Sequence, residues 1–187
     1  MSDPQHSPDA GRPAGTWAGL DHRDPTSHLF ADVSPTGVLL CRSCHAPRRC
    51  RLGLHRETLI EDGTVRSEVT CPADHEGGPE VAHGGWTAGV LDEMSGHALL
   101  LRDEFAVTGE LTVKYVRPVP IERSLIGTAT IAGRDGRRVY VTGELRLVGA
   151  DEVLAISRAV MIRRPGDHFD RHRQWLEDLP HDKRQQR

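Results

Sequence analysis

The sequence predicts an α+β domain in which one antiparallel sheet covers one long helix. Two observations lead to this class. Residues Gly85 to about Leu101 are mostly good helix formers and contain no proline. Four runs rich in Val, Ile, Leu, Tyr and Thr follow, separated by turn residues, and each is typical of a strand: Ala106–Val116, Leu125–Gly133, Arg137–Val148 and Val153–Arg163.

Turn signals and one earlier strand complete the order of elements. Alternation over Thr64–Thr70 predicts a strand before the helix, and Asp74–Glu80 is a polar, glycine-rich loop. Asp135-Gly136 is a favoured pair for a tight hairpin, and Gly149-Ala150-Asp151 supplies the next turn. The predicted order is therefore strand, helix and four strands in an antiparallel meander.

The chain divides into three parts by composition. Residues 1–38 are predicted to be a largely disordered N-terminal extension, rich in Pro, Gly, Asp and His, and residues 39–166 form the domain. Residues 167–187 are a polar C-terminal tail. Phe169, Trp175 and Leu176 in this tail are spaced for a short amphipathic helix, either docked on the domain or solvated.

Bulk composition excludes several classes of protein. The 187 residues are 37% apolar and 27% charged, as in a soluble globular protein, and the net charge of -3 argues against general nucleic-acid binding. No stretch approaches the roughly 20 apolar residues of a membrane helix, and the N-terminus has no apolar region of a secretion signal. We therefore expect a cytoplasmic protein without a membrane partner, whose four cysteines are reduced.

The segment that opens the long helix is His83-Gly84-Gly85. Glycines let the backbone approach another group closely, and the first N–H groups of a helix have no partner within it. Such donors, helped by the helix dipole, suit an oxyanion or a polarised carbonyl. Taken alone, the three residues favour a plain glycine loop that enters a helix.

Asp92 gives the helix a chemical interpretation. Its neighbours at three and four residues are all small, so the carboxylate is expected in a shallow groove open to a ligand: Ala88, Gly89, Ser95 and Gly96. An apolar stripe beside it makes an idle carboxylate costly. Glu93 fits a solvent-facing role better, with His97 as its partner one turn later.

Spacing along the helix limits how these groups can act. Gly84 and Asp92 are eight residues apart, roughly 12 Å along a helix axis. One small reacting group cannot touch both within a single subunit. If both act, they come from two subunits related by a two-fold axis.

These motifs carry a resemblance that covers about Leu52 to Arg164. The chain resembles the hotdog-fold thioesterases of the phenylacetate-pathway type, a branch of the 4-hydroxybenzoyl-CoA thioesterase-like superfamily. The resemblance rests on the following residues: His83-Gly84-Gly85, an acid nine residues after the histidine (Asp92), Gly96, the strand Thr108 to Pro120 with its Tyr-Val-Arg-Pro ending, the Gly133–Arg138 hairpin and Val153-Leu154-Ala155.

The resemblance implies a hotdog fold, acyl-CoA substrates, and either dimers or tetramers made of two dimers. It implies that Asp92 is a general base or nucleophile, that the Gly84 or Gly85 N–H polarises the carbonyl from the other subunit, and that Thr108 orients the water. No cofactor is required for this chemistry. The chain departs from the pattern at Gly77, where many relatives have Asn or Gln six residues before the histidine.

Cysteines and arginines supply further candidates. Cys41, Cys44 and Cys50 are spaced for a structural zinc, completed by His45, His55 or Cys71, although a single CxxC pair fits ordinary reduced cysteines equally. Substrate phosphates favour arginine, so Arg134 at the hairpin and Tyr115 and Arg117 at the end of the strand are candidate binding residues for an acyl-CoA or acyl carrier protein thioester.

Three functions fit these residues. An acyl-CoA thioesterase uses all of them, and the retained Asp92 favours it. A non-catalytic hotdog module that binds acyl thioesters is favoured by the change at Gly77. A hotdog hydratase or dehydratase would need a differently placed Asp/His pair, which the sequence does not contain.

Overall fold

The computed structural model describes residues 50–179 of the chain. A six-stranded antiparallel sheet packs against one long helix, which confirms the predicted α+β class with one helix covered by one sheet. The elements in chain order are β1 (Leu54–Leu59), β2 (Val65–Thr70), a 3-10 turn (Ala73–His75), β3 (Glu76–Gly78), β4 (Val81–Ala82), α1 (Gly84–Leu100), β5 (Ala106–Tyr115), β6 (Ser124–Asp135), β7 (Arg138–Leu147), β8 (Val153–Arg163) and α2 (His168–Glu177).

Helix α1 begins at the predicted glycines and is buried along most of its length. The side chain of His83 caps it, because Nδ1 accepts a hydrogen bond from the Gly85 N–H at 2.9 Å. Deep in the helix the hydroxyl of buried Ser95 donates to the Leu91 carbonyl at 2.7 Å, so this polar group is satisfied without water. The helix is thus an interior element whose polar side chains need partners inside the protein.

The order of strands in the sheet differs from the predicted meander. Neighbouring strands run β1-β2-β6-β7-β8-β5, so β6, β7 and β8 form a meander but β5 pairs with β8 at the far edge. The prediction that four consecutive strands form a meander is wrong for β5. The reason is that β2 pairs with one side of β6 and β7 with the other, so β5 cannot pair with β6 and lies beside β8 instead.

The predicted hairpin between β6 and β7 is present. Asp135 pairs with Arg138, and Gly136 between them has a φ of 54°, in the left-handed region that favours glycine. Near the beginning of β6, helix α1 approaches the sheet closely at Gly127. A Cβ at Gly127 would lie 2.4 Å from the Met94 Cε, so the missing side chain makes the room that Met94 occupies.

The core lies between α1 and the face of the sheet that packs against it. Its fully buried members come from the helix and from alternate positions of the strands, where aliphatic side chains predominate as the low aromatic content predicts: Val65, Val69, Val90, Leu91, Met94, Ala98, Leu99, Leu125, Val139, Val141, Leu145, Ala155 and Met161. Of the alternating strand Thr64–Thr70, the face with Val65, Ser67 and Val69 is the buried one.

Two parts of the fold were not predicted. Strand β1 was missed because its buried positions include Glu57, which breaks the apolar alternation. Strands β3 and β4 lie at the end of and just after the segment predicted as a loop, and they are only three and two residues long. The predicted extension 1–38 and the predicted start of the domain at residue 39 lie outside the described residues.

The C-terminal segment forms the short helix that its sequence allows. Phe169 of α2 lies against Phe105, with ring centroids 5.6 Å apart, while Trp175 and Leu176 are exposed. The assignment of residues 167–187 to a separate polar tail stays a prediction. In residues 50–179, neither helix has the length and apolar character that a bilayer crossing requires.

Candidate active site

Asp92 and Thr108 meet between the middle of α1 and the beginning of β5. The Thr108 hydroxyl donates to Asp92 Oδ1 at 2.7 Å. Asp92 is half-buried and Thr108 is exposed, so the pair lies at a surface that solvent and a ligand can reach. The structure therefore brings together two of the predicted catalytic residues that are 16 positions apart in the sequence.

A cleft of about 380 Å³ lies beside this pair. Its apolar side is formed by Leu100, Phe105 and Met161, and its polar side includes Glu93 and His97. Of the four small neighbours that were expected to make a groove around Asp92, Gly96 alone lines the cleft, since Ser95 is buried in the helix interior. The cleft lies mainly between α1 and β5. The spacing of residues along one helix could not predict it, because it depends on where β5 packs.

The glycines at the start of α1 have separate roles. The Gly85 N–H is engaged by the His83 cap, so it is occupied within the chain. Gly84 is the first residue of the helix, and its N–H has no intrahelical acceptor. The Gly84 carbonyl accepts a hydrogen bond from the Tyr115 hydroxyl at 3.0 Å, which ties the helix start to the end of β5. Gly84 is thus the glycine with a donor left for a ligand.

A second cleft of about 330 Å³ lies at this helix start. Gly84, Thr87, Tyr115 and Arg117 are among the residues that line it, and it shares no lining residue with the Asp92 cleft. Within one chain the two predicted halves of the site are therefore separate, as the helical spacing requires.

The loop before His83 has no room for the amide side chain found in many relatives. A Cβ at Gly77 would lie 2.6 Å from the Cα of His83, so any side chain there would displace the backbone. Two polar residues just before Gly77 were candidates to replace that amide. The backbone carbonyl of His75 accepts the His83 N–H at 2.8 Å, and Glu76 Oε1 accepts the Glu80 N–H at 2.6 Å. The Glu76 carboxylate thus stabilises the loop to which it belongs.

Arg134 is engaged within the protein. Its guanidinium donates to both oxygens of Glu104 at 2.7 Å, and Arg163 lies 3.9 Å from the same carboxylate. These hydrogen bonds lower the pKa of Glu104 against the opposing effect of burial, and raise the pKa of Arg134. Arg134 contacts Glu104, which lines the Asp92 cleft. Arg117 is exposed and lines the Gly84 cleft.

The predicted zinc ligands are described only in part. Cys41 and Cys44 lie outside the described residues, and Cys50 is buried. Burial, and secondly the charge of Asp74, raise the pKa of the Cys71 thiol to about 12, which favours the protonated thiol over a thiolate ligand. Within residues 50–179 no three His, Cys, Asp or Glu side chains form a metal-binding group. The structural zinc stays a prediction.

A buried charged pair beneath the Asp92 cleft was not predicted. His97 Nδ1 lies 2.5 Å from Glu57 Oε2, in an ion pair whose geometry is not that of an aligned hydrogen bond. Glu57 is fully buried and also accepts from the Ser67 hydroxyl at 2.6 Å. The Glu93–His97 contact at 3.3 Å was predicted from its helical spacing, but both side chains line the cleft, so Glu93 is not simply solvent-facing. Glu57 itself had no local signal, because β1 was missed.

We expect Glu57→Gln to destabilise the protein by on the order of 3 kcal/mol, because it leaves the charge of His97 buried without its main partner. Burial alone would lower the pKa of His97, but Glu57 and secondly Glu93 outweigh it and raise the pKa well above 6.5. Because the pKa of His97 is higher in the folded protein than in the unfolded chain, the ion pair stabilises the fold fully below about pH 6.5. This stabilisation is lost as the pH rises through the pKa that His97 has in the folded protein.

Melting temperatures between pH 6 and 9 measure this effect. The wild type should lose stability towards the alkaline end, and Glu57→Gln should be less stable at pH 6 with a flatter profile. Glu61→Gln, at an exposed turn residue, is the control and should match the wild type. Equal melting curves for Glu57→Gln and wild type would show that the buried pair contributes nothing.

Comparisons with known proteins agree with the fold. Residues 80–153 match the family model of the thioesterase superfamily. Acyl-coenzyme A thioesterase THEM4 of Xenopus laevis is 24% identical over 150 residues, which cover 73% of this chain and 63% of the relative, so the chain spans about 63% of that protein's length. The matched residues 80–153 include His83, Gly84, Asp92 and Thr108.

Two solved structures share the fold. The PaaI protein of E. coli, from the phenylacetic acid degradation operon, has a TM-score of 0.56 at 20% identity, over 67% of this chain and 87% of that one. A Streptococcus mutans protein solved with bound acetyl CoA has a TM-score of 0.55 at 16% identity, over 63% and 93%. The predicted hotdog fold, and the resemblance to the hotdog thioesterases, are confirmed.

Proposed function

We propose that this chain, whose residues 80–153 match the thioesterase superfamily, hydrolyses acyl-CoA thioesters with Asp92 as the working carboxylate. The observation that carries the proposal is the Asp92–Thr108 pair, which opens on a cleft with one apolar wall. The Thr108 hydroxyl fixes one carboxylate oxygen at 2.7 Å, and the other oxygen is then oriented for a water or an acyl group. An acyl chain lies against Leu100, Phe105 and Met161.

Two routes fit this geometry. In the first, Asp92 takes a proton from water while the water oxygen attacks the thioester carbon. The C–S bond then breaks, the electron pair leaves on sulfur, and the thiolate takes the proton. In the second, an Asp92 oxygen attacks the carbon and displaces the thiolate, and water hydrolyses the resulting anhydride. Both routes yield a carboxylic acid and a free thiol.

The carbonyl needs a hydrogen-bond donor, and we propose that the Gly84 N–H of a second subunit supplies it. Strand β5 is an edge strand that runs from Thr108 beside the Asp92 cleft to Tyr115 beside the Gly84 cleft. Antiparallel pairing of β5 with its copy across a two-fold axis would place the Thr108 end of one subunit next to the Tyr115 end of the other. Each dimer then has two composite sites.

The remaining assignments follow from this arrangement. Tyr115 and Arg117, in the Gly84 cleft, are proposed to contact the CoA or acyl carrier protein part of the thioester. Arg134, the third candidate for substrate binding, already donates to both carboxylate oxygens of Glu104. Dimers or pairs of dimers, a cytoplasmic setting, and a structural zinc at Cys41, Cys44 and Cys50 remain predictions from the sequence, and the proposed chemistry uses no cofactor.

A panel of acyl-CoA thioesters that spans short, long and aromatic acyl groups tests the proposal. We expect the protein to release free thiol from at least one class, in proportion to enzyme concentration, as measured with a thiol-reactive chromophore. Bovine serum albumin at equal concentration controls for non-specific thiols. No release above this control from any acyl-CoA or acyl carrier protein thioester would contradict the proposed activity.

The second candidate is a non-catalytic module that binds acyl thioesters. The observation that favours it is Gly77, whose close approach to His83 leaves no room for the amide of many relatives. The same panel separates the two functions. Saturable binding of an acyl-CoA without thiol release would support the binding module.

A further inference from the structure

A buried chain of charges connects strand β1 with the floor of the Asp92 cleft. Glu57 of β1 contacts one ring nitrogen of His97 at 2.5 Å, and Glu93 contacts the other at 3.3 Å. Glu57 is inaccessible to solvent and His97 nearly so, while Glu93 lies at the cleft surface. The three side chains therefore lead from the core to the cleft.

The geometry of this chain fixes the charge of His97. An ionised carboxylate only accepts hydrogen bonds, and a neutral imidazole has a single N–H. Because each ring nitrogen lies within ion-pair distance of a carboxylate oxygen, the doubly protonated ring is the form that both carboxylates favour. His97 is thus an imidazolium, buried between two anions that offset the cost of burying its charge.

The carboxylates that line the Asp92 cleft have different partners. Glu93 faces His97, and Glu104 is held by Arg134 with Arg163 nearby. Among the described residues, Asp92 is the carboxylate of this cleft whose recorded partner is a neutral hydroxyl. It follows that Glu93 and Glu104 each have a cationic partner, although Glu93 shares His97 with Glu57.

We propose that His97 is a positioning residue for Asp92: it offsets one of the two negative charges of Glu57 and Glu93, which lowers the repulsion that Asp92 meets when it ionises. The inference rests on the proposed function. Glu57 holds the imidazolium in place from β1, with the uncharged Ser67 of β2 on its other oxygen. Without this cation, Glu93 would repel the negative charge of its neighbour Asp92, since like charges at short range disfavour ionisation.

The pH dependence of kcat/KM for a thioester tests this role. In His97→Gln we expect kcat/KM at neutral pH to fall by about tenfold and the acidic limb of the profile to move to higher pH, because Glu93 is no longer balanced. The double variant His97→Gln/Glu93→Gln leaves Glu57 as the one anion, the same net charge that Glu57, His97 and Glu93 have together in the wild type, and should return the limb towards its wild-type position. Glu93→Gln alone removes a negative charge and should not move the limb to higher pH.

The outcomes separate this inference from the proposed function. A structural role alone would lower kcat/KM in His97→Gln without moving the limb, and Glu93→Gln would then rescue nothing; either result overturns the inference while the thioesterase activity stands. A wild type without activity overturns the proposed function instead. If His97→Gln does not fold, nitrogen NMR of the wild-type imidazole decides, since a neutral His97 ring at pH 7 contradicts the charge balance.

Discussion

Asp92→Asn is expected to lower kcat by a factor on the order of 10² or more, because the amide can neither take a proton from water nor attack the thioester. The Thr108 hydroxyl can still donate to the amide oxygen, so the 2.7 Å contact and the fold should persist. Initial rates of thiol release at saturating acyl-CoA measure the effect.

Glu93→Gln is the matched control for this loss. It changes the neighbouring carboxylate in the same cleft and should be much milder, because Glu93 is already engaged by His97. Both variants should keep the wild-type melting temperature within a few degrees. Turnover close to wild type in Asp92→Asn, with equal folding, would remove Asp92 from the mechanism.

Gly84→Pro should lower kcat by a similar factor, on the order of 10², because proline has no N–H to polarise the carbonyl. The substitution suits the backbone. Proline is favoured at the first position of a helix, and His83 has the extended conformation (φ -59°, ψ 139°) that a residue before proline prefers. We therefore expect a folded protein that has lost one donor.

Gly84→Ala is the control that keeps the donor. Its Cβ would lie 3.6 Å from the Tyr115 ring, an ordinary contact, so its activity should stay near that of the wild type. Equal losses in the alanine and proline variants would mean that the substitution acts through the side chain and not through the N–H.

Local patterns predicted most of the fold. The run without proline defines α1 to within one residue, and the Asp135-Gly136 pair defines the β6–β7 hairpin. The place of β5 beside β8 could not be predicted in this way, because it depends on which sheet edges the other strands leave open. Strand β1 was missed because Glu57, a charged residue, occupies one of its buried positions.

The residues of the candidate site also fall into those that local patterns predicted and those that they did not. His83, Gly84 and Asp92 were found because they share one helix and its entry, where spacing in sequence is spacing in space. Thr108 came from the family resemblance, and the structure places its hydroxyl on Asp92. The Glu57–His97 pair joins residues 40 positions apart, and no local signal marks such a partner.

Mixed dimers of Asp92→Asn and Gly84→Pro subunits test the composite site most directly. The two variants, coexpressed with different tags and purified through both, form heterodimers in which one site has lost both groups and the other retains an intact Asp92 and an intact Gly84 N–H. We predict that these heterodimers recover about half of the wild-type activity per dimer, although each parent is inactive. Heterodimers as inactive as their parents, or a fully active wild-type monomer by light scattering, would contradict a site shared between two subunits.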